Sequence, residues 1–146
     1  MPFTAHPDQI DIAYIAGFID GEGSIGTIKH HSNNRSPFVQ VTQKDVQVLH
    51  YIQGIYGGRI ILNKHTRCHI LEFRKYDLIE RILEDTLPYL RVKEKQAILT
   101  LIICSYIRRN IETGYRWKGK SGHSPYRERI QELSMEIQHI QSYGRN

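Results

Sequence analysis

The chain is short of the features that staple, anchor or loosen a small protein. Only two of its 146 residues are cysteines, Cys68 and Cys104. That excludes a disulfide framework, and their spacing is not that of metal ligands. Reduced thiols in an intracellular protein are the simpler expectation. No apolar run approaches the ~18 residues a membrane span needs. Residues 1–11 lack a basic stretch followed by an apolar one, so a signal peptide is not expected. No Gly-rich phosphate loop ends in Lys-Ser or Lys-Thr, which argues against nucleoside triphosphate use. The eight histidines offer no paired helical spacing and no cysteine partner, which argues against zinc. With 40% hydrophobic residues, the chain is not disordered. A chain of this length buries about two-thirds of its unfolded surface in one domain.

Acid is also scarce where base is plentiful. Net charge is +5, unevenly spread. Residues 1–28 carry −4, residues 29–69 carry +5 and residues 70–146 carry +4. Five of the eight histidines fall in the basic middle. A solvated surface accounts for such a balance, and so does a polyanionic partner such as nucleic acid.

Residues 10–22 have apolar side chains all round a helix, which implies burial on most sides. Ala13, Gly17 and Gly21 recur at i, i+4 and i+8, a stripe almost without side chains. Glycine costs about 1 kcal/mol inside a helix, and close approach of another backbone is a physical reason to accept it. Residues 24–31 and 37–42 then read as two strands, joined by the polar turn 32–35. Val46, Leu49 and Ile52 mark a second helix, stopped at Gly57-Gly58. Residues 59–62 and 68–73 form a second hairpin. A third helix starts at Asp77 and ends before Pro88, and a fourth spans 94–107. A polar loop, 108–123, precedes a last helix opened by Ser124-Pro125. The α-β-β unit thus occurs twice. Hairpins make the class α+β, with helices on one face of an antiparallel sheet and a polar, basic face opposite.

The segment Ile15-Ala16-Gly17-Phe18-Ile19-Asp20-Gly21-Glu22-Gly23 resembles the signature of the LAGLIDADG homing endonucleases, and Ser24-Ile25 continues it. Val41-Thr42-Gln43-Lys44 stands where that family places a Gln near its metals. Leu90 to Ala97 stands where it places a Lys opening a helix. The resemblance covers about residues 8–107 of a single domain, leaving 108–146 as basic loop and C-terminal helix. It is nearest to the single-motif members, which act as homodimers.

The resemblance implies an αββαββα fold whose four-stranded sheet forms a DNA-binding saddle. It implies a Mg²⁺-dependent endonuclease that cuts both strands of a long, near-palindromic site and leaves 3′ overhangs. Mn²⁺ or Ca²⁺ could substitute in binding. Glu22 would be the metal ligand, with the Gly21 carbonyl beside it, and Gln43 and Lys93 would complete the catalytic set. Ala13, Gly17, Asp20 and Gly21 would lie at a helix–helix dimer interface. One motif offers one acid, so pairing two stripes would bring two Glu22 carboxylates to one axis. Glu22 read without the motif is merely a helix end, and Gln43 a residue of a capping turn. Lys93 is the reverse of what a helix N-terminus prefers, which favours a function.

On the strands the base-reading candidates are Thr27, Lys29, His31, Ser36, Gln40, Arg59, Ile61, Asn63, Arg67 and His69. Gly26 leaves the parity of the first strand ambiguous. Arg108, Arg109, Arg116, Trp117, Lys118 and Lys120 form a second basic cluster, either a phosphate-gripping arm or a loop. The sequence departs from close single-motif relatives at Gln47, where they carry Arg. A DNA-binding protein with weakened catalysis, or an RNA-binding intron maturase on the same scaffold, is the alternative.

Overall fold

Asp8 starts the first helix by a reciprocal cap. Its carboxylate accepts the Asp11 N–H at 2.8 Å, and the Asp11 carboxylate accepts the Asp8 N–H at 3.3 Å. The helix, α1, runs Gln9–Glu22 and buries Ile15, Ala16 and Ile19. It gives way directly to a strand at Gly23. A Cβ there would lie 2.6 Å from the Ile19 carbonyl oxygen, so only glycine lets the chain turn this closely. The structure, a computed structural model, describes residues 7–30, 34–113 and 126–143.

The elements that follow are β1 (Gly23–Lys29), β2 (Arg35–Gln43), α2 (Val46–Tyr56), β3 (Arg59–Leu62), β4 (His69–Phe73), α3 (Tyr76–Thr86), a 3-10 turn (Leu87–Tyr89), α4 (Glu94–Glu112) and α5 (Arg127–Tyr143). The four strands form one antiparallel sheet in the order β1-β2-β4-β3. This is the expected α+β architecture.

Alternation divides the sheet into two faces. Ile25, Val39, Val41, Leu71 and Phe73 point one way and are at most 1% exposed. They join Ile15 and Ile19 of α1, Leu49 and Ile52 of α2, Ile79, Ile82 and Leu83 of α3, and Ala97 and Cys104 of α4 in one core. The opposite face receives none of these four helices. A smaller cluster, Ile103, Ile107, Ile130, Leu133 and Ile137, packs α5 on α4. The Gln141 amide of α5 donates to the Ile25 carbonyl at 2.8 Å. Since β1 is an edge strand, α5 thereby covers part of the free sheet edge.

Two expectations change. First, α1 is not buried on most sides: Ala13, Tyr14, Gly17 and Gly21 are exposed, and Ile10 is 79% exposed. The chain's own core covers one face of the helix and leaves the small-residue stripe open. Second, α4 continues to Glu112, so Arg108 and Arg109 are helical rather than loop residues. Ile103, Ile107 and Asn110 extend the inward face at helical spacing and are all buried. The Arg108 guanidinium is bound to the Glu80 carboxylate of α3. Among the described residues, no helix is long and apolar enough to cross a membrane.

The turn into β3 depends on backbone freedom. Gly58 has φ +92°, and a Cβ there would meet the Glu72 carbonyl oxygen at 2.9 Å. Gly58→Ala is therefore expected to cost about 2 kcal/mol of stability, measured by urea denaturation.

Candidate active site and nucleic-acid interface

The C-terminus of α1 is where the chain concentrates its polar chemistry. A helix end leaves carbonyls without intrahelical partners and carries negative partial charge. Here the Ile19 carbonyl accepts the Gly23 N–H, and the Asp20 carbonyl accepts the Lys93 ammonium. The Asp20 side chain turns the other way. Its carboxylate accepts the backbone N–H groups of Arg91, Val92 and Lys93 at 2.7, 3.2 and 3.0 Å. Asp20 thus caps the start of α4, for which Lys93 is the N-cap residue without a side-chain cap of its own. Expected at an interface between chains, the Asp20 carboxylate is occupied within its own chain.

This arrangement separates the two acids of the motif. Asp20 is saturated by backbone donors, while Glu22 is exposed. The Lys93 ammonium is held on the Asp20 carbonyl. Burial pushes it below the usual lysine range, and the Asp20 and Glu22 carboxylates oppose that shift. Gln43 lies two residues beyond Val41, the register partner of Gly23. It therefore stands at the end of β2 that adjoins the end of α1, with its side-chain oxygen accepting the Lys44 N–H at 2.8 Å. Gln47, in the first turn of α2, is exposed and donates its N–H to Asp45. Glu22, Gln43 and Lys93 therefore share one end of the sheet, brought there by three separate elements.

Glu22 and the Gly21 carbonyl are hard oxygen donors of the kind Mg²⁺ and Ca²⁺ take, and the helix C-terminus favours a cation. They are too few to hold one alone. No group of three His, Cys, Asp or Glu side chains suited to a metal occurs among the described residues. The donor set fits half of a divalent-metal site. The stripe leading to it is vacant within the chain, since a Cβ on Gly17 or Gly21 would meet nothing within 4 Å.

The open sheet face is polar along one complete row. Ser24, Gln40, Glu72 and Arg59 are successive cross-strand partners from β1 through β2 and β4 to β3. The next row holds Gly26, Phe38 and Arg74, and beyond it stand Ile28 and Ser36. On the other side lie Thr42, Ile70 and Ile61. Ser36, Gln40, Arg59 and Ile61 thus share the open face.

Thr27, Lys29 and His69 have the parity of the helix-covered face, so the first strand is read one residue out of step. The Thr27 hydroxyl oxygen is buried without a partner, Lys29 is exposed at the strand end, and the His69 ring bonds the Lys44 carbonyl. Asn63 serves its own turn, its side-chain oxygen accepting the His65 and Thr66 N–H groups. Arg67 adopts φ 58° in that turn. His31, Arg116, Trp117, Lys118 and Lys120 lie outside the described residues. Sequence reasoning missed Glu72 and Arg74. The available signal was an acid between two core residues, Leu71-Glu72-Phe73, on a strand whose other face is wet.

The two acids are expected to respond oppositely to substitution. Asp20→Ala leaves three amides without their acceptor and should lower stability by about 2 kcal/mol, whereas Glu22→Gln should stay within about 0.5 kcal/mol of wild type. Parallel urea denaturation of both variants checks the contrast.

Comparison with known proteins agrees with this fold. No curated protein sequence matches the chain. The archaeal intron-encoded homing endonuclease I-Vdi141I, solved with DNA, superposes with TM-score 0.74 at 19% identity, over 92% of this chain and 86% of that one. The homing endonuclease I-CvuI, solved with uncleaved I-CreI target DNA and Mg, gives 0.64 at 21% identity, over 90% and 96%. I-SmaMI, bound to uncleaved DNA with calcium, gives 0.69 at 18% identity, over 91% of this chain but 46% of its own. These likenesses establish the fold. The LAGLIDADG endonuclease family model matches residues 15–97, more than half of the sequence and a span that includes Glu22, Gln43 and Lys93, and the chain belongs to that family.

Proposed function

We propose that the chain is a site-specific, divalent-metal-dependent DNA endonuclease that works as a homodimer inside the cell. The observation that carries this reading is the exposed stripe Ala13, Gly17, Gly21 running to Glu22 with Lys93 beside it. Two copies packed along that stripe bring backbones close and set two Glu22 carboxylates about one axis. One chain of 146 residues then supplies half an active site, and two-fold symmetry calls for a near-palindromic target.

In the paired form, Glu22 and the Gly21 carbonyl of each copy would hold Mg²⁺, or Mn²⁺ or Ca²⁺ in its place. Such ions supply Lewis-acid stabilisation of a phosphodiester under attack. The chain's own groups do the rest. Gln43 orients the attacking water from the end of β2. Lys93, partly buried, offsets negative charge developing on the phosphate without reorganising, because its position is set by the Asp20 carbonyl. Cleavage of both strands leaves 3′ overhangs. Ser36, Gln40, Arg59 and Ile61 face base edges in the major groove, with Lys29 and Arg67 toward phosphates at the strand and turn ends. Thr27 and His69, on the helix-covered parity, take no part. The structures of I-Vdi141I and I-CvuI contain DNA, which supports a DNA partner.

The test is cleavage of a randomised double-stranded DNA library with Mg²⁺. Glu22→Gln should cut at least about 10²-fold more slowly while retaining DNA affinity in Ca²⁺. Absence of any Mg²⁺-dependent cut by the wild type would favour a binding protein or maturase instead. Gly17→Ala separates folding from assembly. It should raise the stability of the isolated chain by up to about 1 kcal/mol, because its Cβ meets nothing within 4 Å. It should nevertheless weaken self-association in sedimentation velocity, and cleavage with it.

A further inference from the structure

The open sheet face contains an acid where a DNA-facing surface has least use for one. Glu72 stands at the centre of the polar row, and its side chain is only 8% exposed. Two arginines cover it. Arg59, from the neighbouring strand, donates through Nε and Nη2 to one carboxylate oxygen at 3.1 and 2.8 Å. Arg74, two residues along, donates through Nε and Nη2 to the other oxygen, both at 3.3 Å. Arg74 is further fixed by the Phe38 ring, whose centroid lies 5.5 Å from its guanidinium carbon.

The pattern of donors carries the argument. Each guanidinium is a planar fork with five N–H groups. In both arginines Glu72 occupies the side edge, Nε with Nη2. The end edge, Nη1 with the second Nη2 hydrogen, has no partner among the described residues. Arg59 and Arg74 remain 75% and 44% exposed, so both side chains reach solvent while Glu72 holds one edge of each. A pair of parallel N–H donors on a fixed plane matches O6 and N7 of guanine. Phosphate neutralisation would be served better without Glu72, since the acid cancels one of the two positive charges and repels the DNA backbone. Orientation is what the acid contributes.

We propose that Arg59 and Arg74 each read a guanine in the major groove and that Glu72 is the positioning residue that aims both. The inference rests on the proposed DNA-binding function and adds a specificity rule to it. Each half-site should contain two G·C pairs, one under each arginine. A surface arginine free to rotate loses side-chain entropy on docking, and one already held loses less. Glu72 therefore trades general attraction to DNA for discrimination at two positions.

That trade gives the substitution opposite effects on two readouts. Wild type, Glu72→Gln, Arg59→Ala and Arg74→Ala would each be selected on a randomised double-stranded DNA library in Ca²⁺, with circular dichroism melts as a folding control. Wild type should enrich guanine at two positions per half-site. Arg59→Ala should erase the preference at one position and Arg74→Ala at the other, each by roughly tenfold. Arg59→Lys should not restore it, because an ammonium has no fork. Glu72→Gln should relax both positions together while binding to unrelated duplex DNA grows stronger and its dependence on salt steeper. A merely structural Glu72 would lower all binding in proportion to stability, and that outcome overturns the proposal. So does an unchanged base profile in Glu72→Gln, or a wild type that binds duplex DNA without enriching guanine. If the wild type binds no duplex DNA at any salt concentration, the proposed function falls and this inference with it; the binding to unrelated duplex tells the two failures apart.

Discussion

The hydrogen bonds from the Arg91, Val92 and Lys93 amides to the Asp20 carboxylate hold the candidate site together. They join the end of the first helix to the start of the fourth, 71 to 73 residues apart in sequence. An ionised carboxylate meeting several backbone donors is a strong contact. It also answers two needs at once, since α4 has no side-chain cap of its own. From that clamp follows the position of Lys93, whose ammonium turns onto the Asp20 carbonyl. From it follows the freedom of Glu22, the motif acid that the fold does not use.

The division between a structural and an available acid runs through the whole molecule. Glu80 and Glu72 are both buried and both bound by arginine, at Arg108 and at Arg59 with Arg74. Glu80 ties α3 to α4 inside the helical layer. Glu72 stands on the open face, where the same chemistry has a different consequence, because its arginines keep an edge free. In the motif, Asp20 is bound by three backbone amides, while Glu22 is exposed. In a protein of net charge +5, Glu72 and Glu80 are thus held in buried pairs, while Glu22 is exposed at the C-terminus of a helix, where a cation is favoured.

Much of this was legible beforehand. The glycine stripe and the acid that ends it announced the first helix, and period-two alternation announced the hairpins. Glu22, Gln43 and Lys93 were singled out by their surroundings in the sequence, and the fold brings them to one end of the sheet. The first strand was misjudged because its two possible faces carry similar residues. Ile25 and Ile28 are both apolar, and Thr27 and Ser24 are both small and polar. Pairing with β2 breaks the tie, since Ile25 opposes Val39 and Ile28 opposes Ser36. Arg108 was misjudged because a run of polar residues looks like a loop until Glu80 is brought beneath it.

The sequence by itself determined the local elements, the α-β-β repeat, and the motif with its two acids, Asp20 and Glu22. These depend on spacing within a few residues, which the chain carries openly. Tertiary structure decided which acid is spent and which is available, which side of each strand faces outward, and that Arg59 and Arg74 share Glu72. Each of those is a contact between segments distant in sequence. Propensity and periodicity say nothing about such contacts, because they arise only when the core closes and brings the segments together.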